Sequence, residues 1–196
     1  MLLKPAIVTA HLLGGMTLLA LLLWLWLSLG ISRIRIPALK MPAAMALAVL
    51  AVQIALGGWV SANYAALACP DFPTCQTQWW PAIADFKEAF VLWRGIGIDY
   101  EGGVLDHPAR VAIHFTHRLG AVLAAVLIAL LGFRLVRETA TRADGAAVLA
   151  VLALQLCLGV SIVWFGVPLG VAVLHNGIAA LLLLAVINAN QRIRQR

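Results

Sequence analysis

The chain has 196 residues, of which 63% are hydrophobic and only 11% charged, with a formal net charge of +6. A soluble domain is nearer a quarter charged, so this balance and a mean hydropathy of +0.98 exclude an ordinary water-soluble fold. Nor does the positive charge point to nucleic acid, because nine of the fourteen basic residues cluster in the first and third connections and at the C-terminus, a topology signal.

A helix needs about 20 apolar residues to cross a bilayer. Stretches of that kind run over roughly 5–30, 42–65, 108–134, 145–166 and 168–190. The expected fold is an all-α integral membrane protein with five transmembrane helices. Pro5, Pro42, Pro108 and Pro168 stand at or beside the helix starts, where a missing N–H is harmless. The first run is too long for a signal peptide and has neither a basic leader nor a cleavage site.

The first span holds His11, followed by Leu12-Leu13-Gly14-Gly15. Arg33, Arg35 and Lys40 lie in the connection after it. The second span contains Gln53-Ile54-Ala55-Leu56-Gly57-Gly58. A long polar segment follows, about 66–107, opening with Cys69-Pro70-Asp71-Phe72-Pro73-Thr74-Cys75. An oxidising compartment favours a disulfide here; metal binding is the alternative, although no further ligand lies nearby in the sequence. Pro81 to Arg94 reads as an amphipathic surface helix, with Ile83, Phe86, Phe90 and Trp93 on one face and Asp85, Lys87 and Glu88 on the other.

The third span opens with His107-Pro108 and carries His114, His117 and Arg118, then Gly120 and Ala121. Arg costs about 2.5–3.5 kcal/mol at the centre of a membrane helix, so such groups usually have a partner. After Arg134, Arg137 and Arg142, the fourth span repeats the second's Gln-x-x-Leu-Gly as Gln155-Leu156-Cys157-Leu158-Gly159. The fifth brings His175 between Ala172 and Ala179, and Val8-Thr9-Ala10-His11 is echoed by Ala172-Val173-Leu174-His175. The two echoes suggest a duplicated helix-pair unit. Cys157 reads as a packing residue.

Arg192, Arg194 and Arg196 close the chain, whereas the long segment carries Asp71, Asp85, Glu88, Asp99, Glu101 and Asp106 against Lys87, Arg94 and Arg110. The positive-inside rule places the first and third connections and the C-terminus in the cytoplasm. The N-terminus and the long segment are then outside.

Counted from Pro5, Pro108 and Pro168 at 1.5 Å per residue, His11, His117 and His175 lie about 9, 13 and 10 Å deep. Each is beside small residues. Two imidazoles from facing helices, with room for a flat ring, make the donor set of a six-coordinate haem iron, whose propionates would reach toward Arg118 and Arg110. Zinc usually takes more protein ligands than this, and a proton-conducting histidine chain would not need the small residues.

Lys4-Pro5-Ala6-Ile7-Val8-Thr9-Ala10-His11-Leu12-Leu13-Gly14-Gly15, Leu67-Ala68-Cys69-Pro70-Asp71-Phe72-Pro73-Thr74-Cys75, Phe115-Thr116-His117-Arg118 and Val173-Leu174-His175-Asn176 resemble the haem A synthase family, in its proteobacterial and mitochondrial branch. The resemblance covers essentially the whole chain. It implies a family fold of eight transmembrane helices in two pseudo-symmetric four-helix halves, each with a histidine pair and an external loop. The implied activity is oxidation of a haem O methyl group to the formyl group of haem A.

On that resemblance, residues 42–190 look like the C-terminal haem-binding four-helix bundle, with 66–107 as its external loop. His117 and His175 would bind haem b, and Cys69 and Cys75 would form its disulfide. Residues 1–30 look like the last helix of the N-terminal half, with His11 serving a second haem site. The family's catalytic glutamate has no counterpart here: His114 occupies the corresponding turn, and no carboxylate falls within the five predicted spans. The chain is therefore read as truncated, with its catalytic residue unknown.

Implied partners are the bilayer of a bacterial inner membrane, haem O synthase and cytochrome oxidase assembly, with a homo-oligomer left open and no nucleic acid. Two other readings stand beside this one. One is a b-type haem electron-transfer subunit without haem-modifying chemistry, and the other a thiol–disulfide oxidoreductase using Cys69 and Cys75.

Overall fold

A computed structural model describes residues 4–30, 34, 36–95, 98–100 and 102–193. Arg33, Arg35, Glu101, Arg194 and Arg196 of the charge pattern lie outside the described residues. In chain order the helices are α1 (Pro5–Gly30), α2 (Pro37–Ala62), the single turn α3 (Phe86–Ala89), α4 (His107–Arg137), α5 (Arg142–Trp164) and α6 (Leu169–Arg192). A 3₁₀ turn (Thr139–Thr141) precedes α5. Among the described residues there is no strand, and the five long helices are each long and apolar enough to cross a membrane.

Several boundaries differ from those read in the sequence, each for a local reason. Helix α2 starts at Pro37, not Pro42, which lies inside it. Pro42 removes only one i→i−4 bond, close to the helix end where carbonyls find other partners. The helix stops at Ala62 because Asn63 caps it, its N–H and Nδ2 both donating to the Trp59 carbonyl. Tyr64 then takes a left-handed φ of 53°. Asp106 caps α4 by accepting from the Ala109 N–H.

Helix α5 begins at Arg142, three residues before the apolar run, so Asp144 falls in its first turn. That corrects the expectation of spans free of carboxylates. Asp144 is paired with Arg192 (3.1 Å) and accepts from Asn188 (2.8 Å).

The expected helix over 81–94 is reduced to α3, four residues capped by Asp85, which accepts from the Lys87 and Glu88 amides. One short turn does not sustain a helix by itself. The surrounding chain instead makes tertiary contacts: Trp59 Nε1 donates to the Ala89 carbonyl, and the Asp85 N–H donates to the Pro108 carbonyl.

Helices α2, α4, α5 and α6 form a closed ring, each packed on its two neighbours, with α4 and α6 at opposite corners. Helix α1 lies against α2 and α6. The ring is densely packed at the end away from the long loop, where Leu50, Ile128, Leu131, Val148, Leu182 and Val186 share one buried cluster. Polar residues near the end of α6 tie that end together. Asn190 donates to the Ala43 carbonyl, and Gln191, fully buried, donates to Ser28 Oγ and the Trp24 carbonyl.

Gly132 and Gly145 bring α4 and α5 together. A Cβ on Gly145 would stand 2.7 Å from the Gly132 carbonyl oxygen and from the Val136 nitrogen. These are backbone atoms, so the helices themselves would have to part. Gly145→Val is expected to destabilise the bundle by about 1–3 kcal/mol, the usual cost of overpacking, read as a lower melting temperature in detergent. An unchanged melting temperature would mean that this contact does not set the helix spacing.

Candidate functional site

The sequence echo Gln-x-x-Leu-Gly has a structural counterpart. On α2, Gln53 and Gly57 are one turn apart and share a face. Gln53 Nε2 reaches both the Nδ1 of His117 (3.0 Å) and the His117 backbone carbonyl (3.1 Å) on α4. Gly57 abuts the Cε1 edge of the same ring: a Cβ there would meet His117 Cε1 at 3.2 Å. On α5, Gln155 Nε2 stands 3.3 Å from His175 Nε2 on α6, and a Cβ on Gly159 would meet His175 Cε1 at 3.2 Å. The same glutamine-and-glycine cradle thus holds a half-buried imidazole at two opposite corners of the ring.

Packing changes at this level. Helix α4 buries no residue between Phe115 and Ala124, α5 none between Leu152 and Val163, and α6 none before Leu182. Buried residues resume nearer the loop, where Trp59, Val60, Ala109, Ala112 and Ile113 form a second cluster, so His117 lies at a level between two buried clusters. Three buried polar atoms in this region lack a partner: Gln53 Oε1, Gln155 Oε1 and His175 Nδ1. Imidazoles at opposite corners, glycines that keep the space beside each ring clear, and buried polar atoms without partners fit a flat, iron-centred macrocycle. Among the described residues no group of three or more His, Cys, Asp or Glu could hold a bare metal ion.

The loop end is closed by the cysteine segment. Cys69 and Cys75 are joined in a disulfide. Arg118 donates to the carbonyls of Asp71, Thr74 and Cys69, each at 2.7 Å, so this cation is committed largely to holding the loop. The planar guanidinium fork suits several fixed acceptors at once. Phe72 lies under Arg118 (5.7 Å) and meets Trp164 of α5 edge-on (6.4 Å), carrying the loop across from α4 to α5.

His114 does not share His117's environment. It is buried, and its Nδ1 accepts the Cys69 N–H at 3.2 Å. A neutral imidazole that accepts at Nδ1 carries its proton on Nε2, so the 3.3 Å approach of Arg118 Nε to that nitrogen is a packing contact between two donors. His11 is exposed on α1, and the adjacent Gly14 and Gly15 have nothing within 4 Å of an added Cβ. Lys4 ties the start of α1 to the far part of the loop, donating to the Gly95 carbonyl (2.8 Å) and lying over the Trp93 ring (3.6 Å).

Sequence reasoning did not identify Gln53, Gly57, Gln155 and Gly159 as partners of the histidines. The signal was present as the internal echo, but its meaning depends on which helices become neighbours.

The comparisons with known proteins agree with one another. The COX15-CtaA model, described as cytochrome oxidase assembly protein, matches residues 1–187. Heme A synthase of Shewanella oneidensis is 44% identical over 193 residues, covering 96% of this chain and 58% of that protein. Heme A synthase of Sphingopyxis alaskensis is 32% identical over 196 residues, covering 95% and 50%. The chain therefore spans about half the length of these curated relatives. No solved structure matches it.

Asp71 organises the loop, accepting from the Thr74 hydroxyl and from the Gln76 (2.8 Å) and Thr77 (3.0 Å) amides. Its slight burial raises the carboxyl pKa, but these donors outweigh that and leave it below the ordinary 3.8. A depressed carboxylate contributes stability that is whole above its unfolded value and lost as pH falls through the folded one. Hydrogen exchange in residues 69–77 is therefore expected, after correction for intrinsic rates, to show constant protection from pH 7 to about 4 and a loss only below. Protection lost between pH 7 and 5 would contradict this role for Asp71.

Proposed function

Because this chain belongs to the COX15-CtaA family of cytochrome oxidase assembly proteins, we propose that it supplies the haem-binding bundle of a haem A synthase. The activity to which it contributes is oxidation of the haem O methyl group to the formyl group of haem A. Its supporting observation is the pair of imidazoles held in matching glutamine-and-glycine cradles at opposite corners of the ring, with both glutamine carbonyls buried and without a donor.

In this reading residues 42–190 form the bundle, 66–107 the external loop, and His117 and His175 would hold a haem b. When bound, that haem supplies one-electron transfer. The protein's own work is positional. Gly57 and Gly159 let the Cε1 edge of each ring approach the neighbouring helix closely, and Gln53 and Gln155 hold the rings there. The disulfide loop, clamped by Arg118 and resting on Trp164, shields the loop end from water. Arg110, whose Nε is buried without an acceptor, has a donor to offer a propionate, and Arg118 adds a nearby positive charge. His11 belongs to a second haem site, with residues 1–30 as the helix that carries it.

Lys40, Arg134, Arg137, Arg142 and Arg192 all lie at the helix ends opposite the loop. By the positive-inside rule that end faces the cytoplasm of a bacterial inner membrane, and the loop faces outward. Following the family resemblance, haem O synthase supplies the substrate, and the product serves terminal oxidase assembly.

Purified chain is expected to carry about one low-spin b-type haem at the His117/His175 site, by pyridine haemochrome and reduced-minus-oxidised spectra. His117→Ala and His175→Ala should each abolish the low-spin spectrum. Unchanged spectra in both variants would refute the assignment.

A further inference from the structure

We propose that Gln53 and Gln155 are positioning residues that set the orientation and donor strength of the two imidazoles by offering Oε1 to the ring N–H on the side away from iron. The inference rests on the haem reading above, but goes beyond the identity of the ligands to the groups that tune them.

An imidazole bound to iron through one nitrogen carries its proton on the other, and that N–H needs an acceptor. The acceptor fixes the ring and raises its basicity. Gln53 turns its amide nitrogen toward His117 Nδ1, leaving Nε2 as the protonated ring nitrogen. The Gln53 carbonyl Oε1 is meanwhile buried with no donor, and so is that of Gln155. A buried carbonyl without a donor is costly, and here the same cost recurs in both copies of the cradle.

Ligation at His117 Nε2 requires the ring proton to leave that nitrogen and one to sit on Nδ1. Rotation of the Gln53 amide about its last torsion then places Oε1 on the Nδ1 proton, giving the carbonyl the donor it lacks. The rotation gives up the bond to the His117 carbonyl, so the new bond must outweigh that loss. Gly120 leaves room for the amide: a Cβ there would collide with Gln53 Oε1. In the second cradle Gln155 faces His175 Nε2, while Nδ1 is the buried nitrogen without a partner. The device is repeated, with the ring turned the other way.

The test uses the full chain loaded with haem b in lipid nanodiscs, compared with Gln53→Glu, Gln53→Ala, Gln155→Glu and Gln155→Ala. Glutamate keeps the shape and supplies a stronger acceptor that cannot donate. Both Glu variants should retain haem and show a more negative midpoint potential with altered g-values in electron paramagnetic resonance. The Ala variants should lose haem about 10–100-fold more readily. In haem-free chain, ring nitrogen-15 shifts should place the His117 proton on Nε2, and Gln53→Ala should remove that preference. Potentials, g-values and retention unchanged in all four variants would overturn the positioning role. A haem spectrum that survives His117→Ala would instead overturn the ligand assignment on which it rests.

Discussion

Polar groups inside a membrane helix must find partners within the protein, because the surrounding lipid offers none. The architecture of this chain follows from that constraint. His117 and Gln53 satisfy part of each other's needs across α2 and α4, as His175 and Gln155 do across α5 and α6. Arg118 sits one residue from His117 but directs its donors to loop carbonyls. At the opposite end, Asp144 accepts from both Asn188 and Arg192, and Gln191 ties α6 to the last turns of α1. The groups left with unmet bonding capacity include both glutamine carbonyls and one histidine nitrogen of the cradles.

These two ends divide the work. The apolar cluster of Leu50, Ile128, Leu131, Val148 and Val186 fixes helix spacing where nothing else need fit. Glycines set close approaches there too, with Gly132 and Gly145 meeting backbone to backbone. Toward the loop a second cluster takes over, in which Trp59 and Val60 of α2 pack against Ala109, Ala112 and Ile113 of α4. The disulfide loop packs on Val111 and Phe115, and Arg118 anchors it to the helix that carries His117.

Much of this was legible in the sequence. Length and apolarity identify the five spans, and the cysteine pair and the matched histidine depths are visible as spacing. The Gln-x-x-Leu-Gly repeat is visible too, but not its purpose, since Gln53 meets His117 only once α2 and α4 are packed together. Arg118 reads as a cation awaiting an anion because its actual acceptors, three backbone carbonyls, have no sequence signature. Pro81 to Arg94 has the periodicity of an amphipathic helix, yet Trp59 and Pro108 draw its backbone into tertiary hydrogen bonds and leave a single turn. Asp144 escaped notice by one residue, because a helix starts where its backbone bonds begin and not where apolarity does.

The central claim is that opposite corners of the bundle present two imidazoles to one iron. Near-infrared magnetic circular dichroism of the oxidised, haem-loaded chain reads axial ligands directly. A bis-imidazole charge-transfer band that disappears when either His117 or His175 is replaced by alanine is the result predicted. A band belonging to any other ligand pair, or one indifferent to both substitutions, would contradict the account.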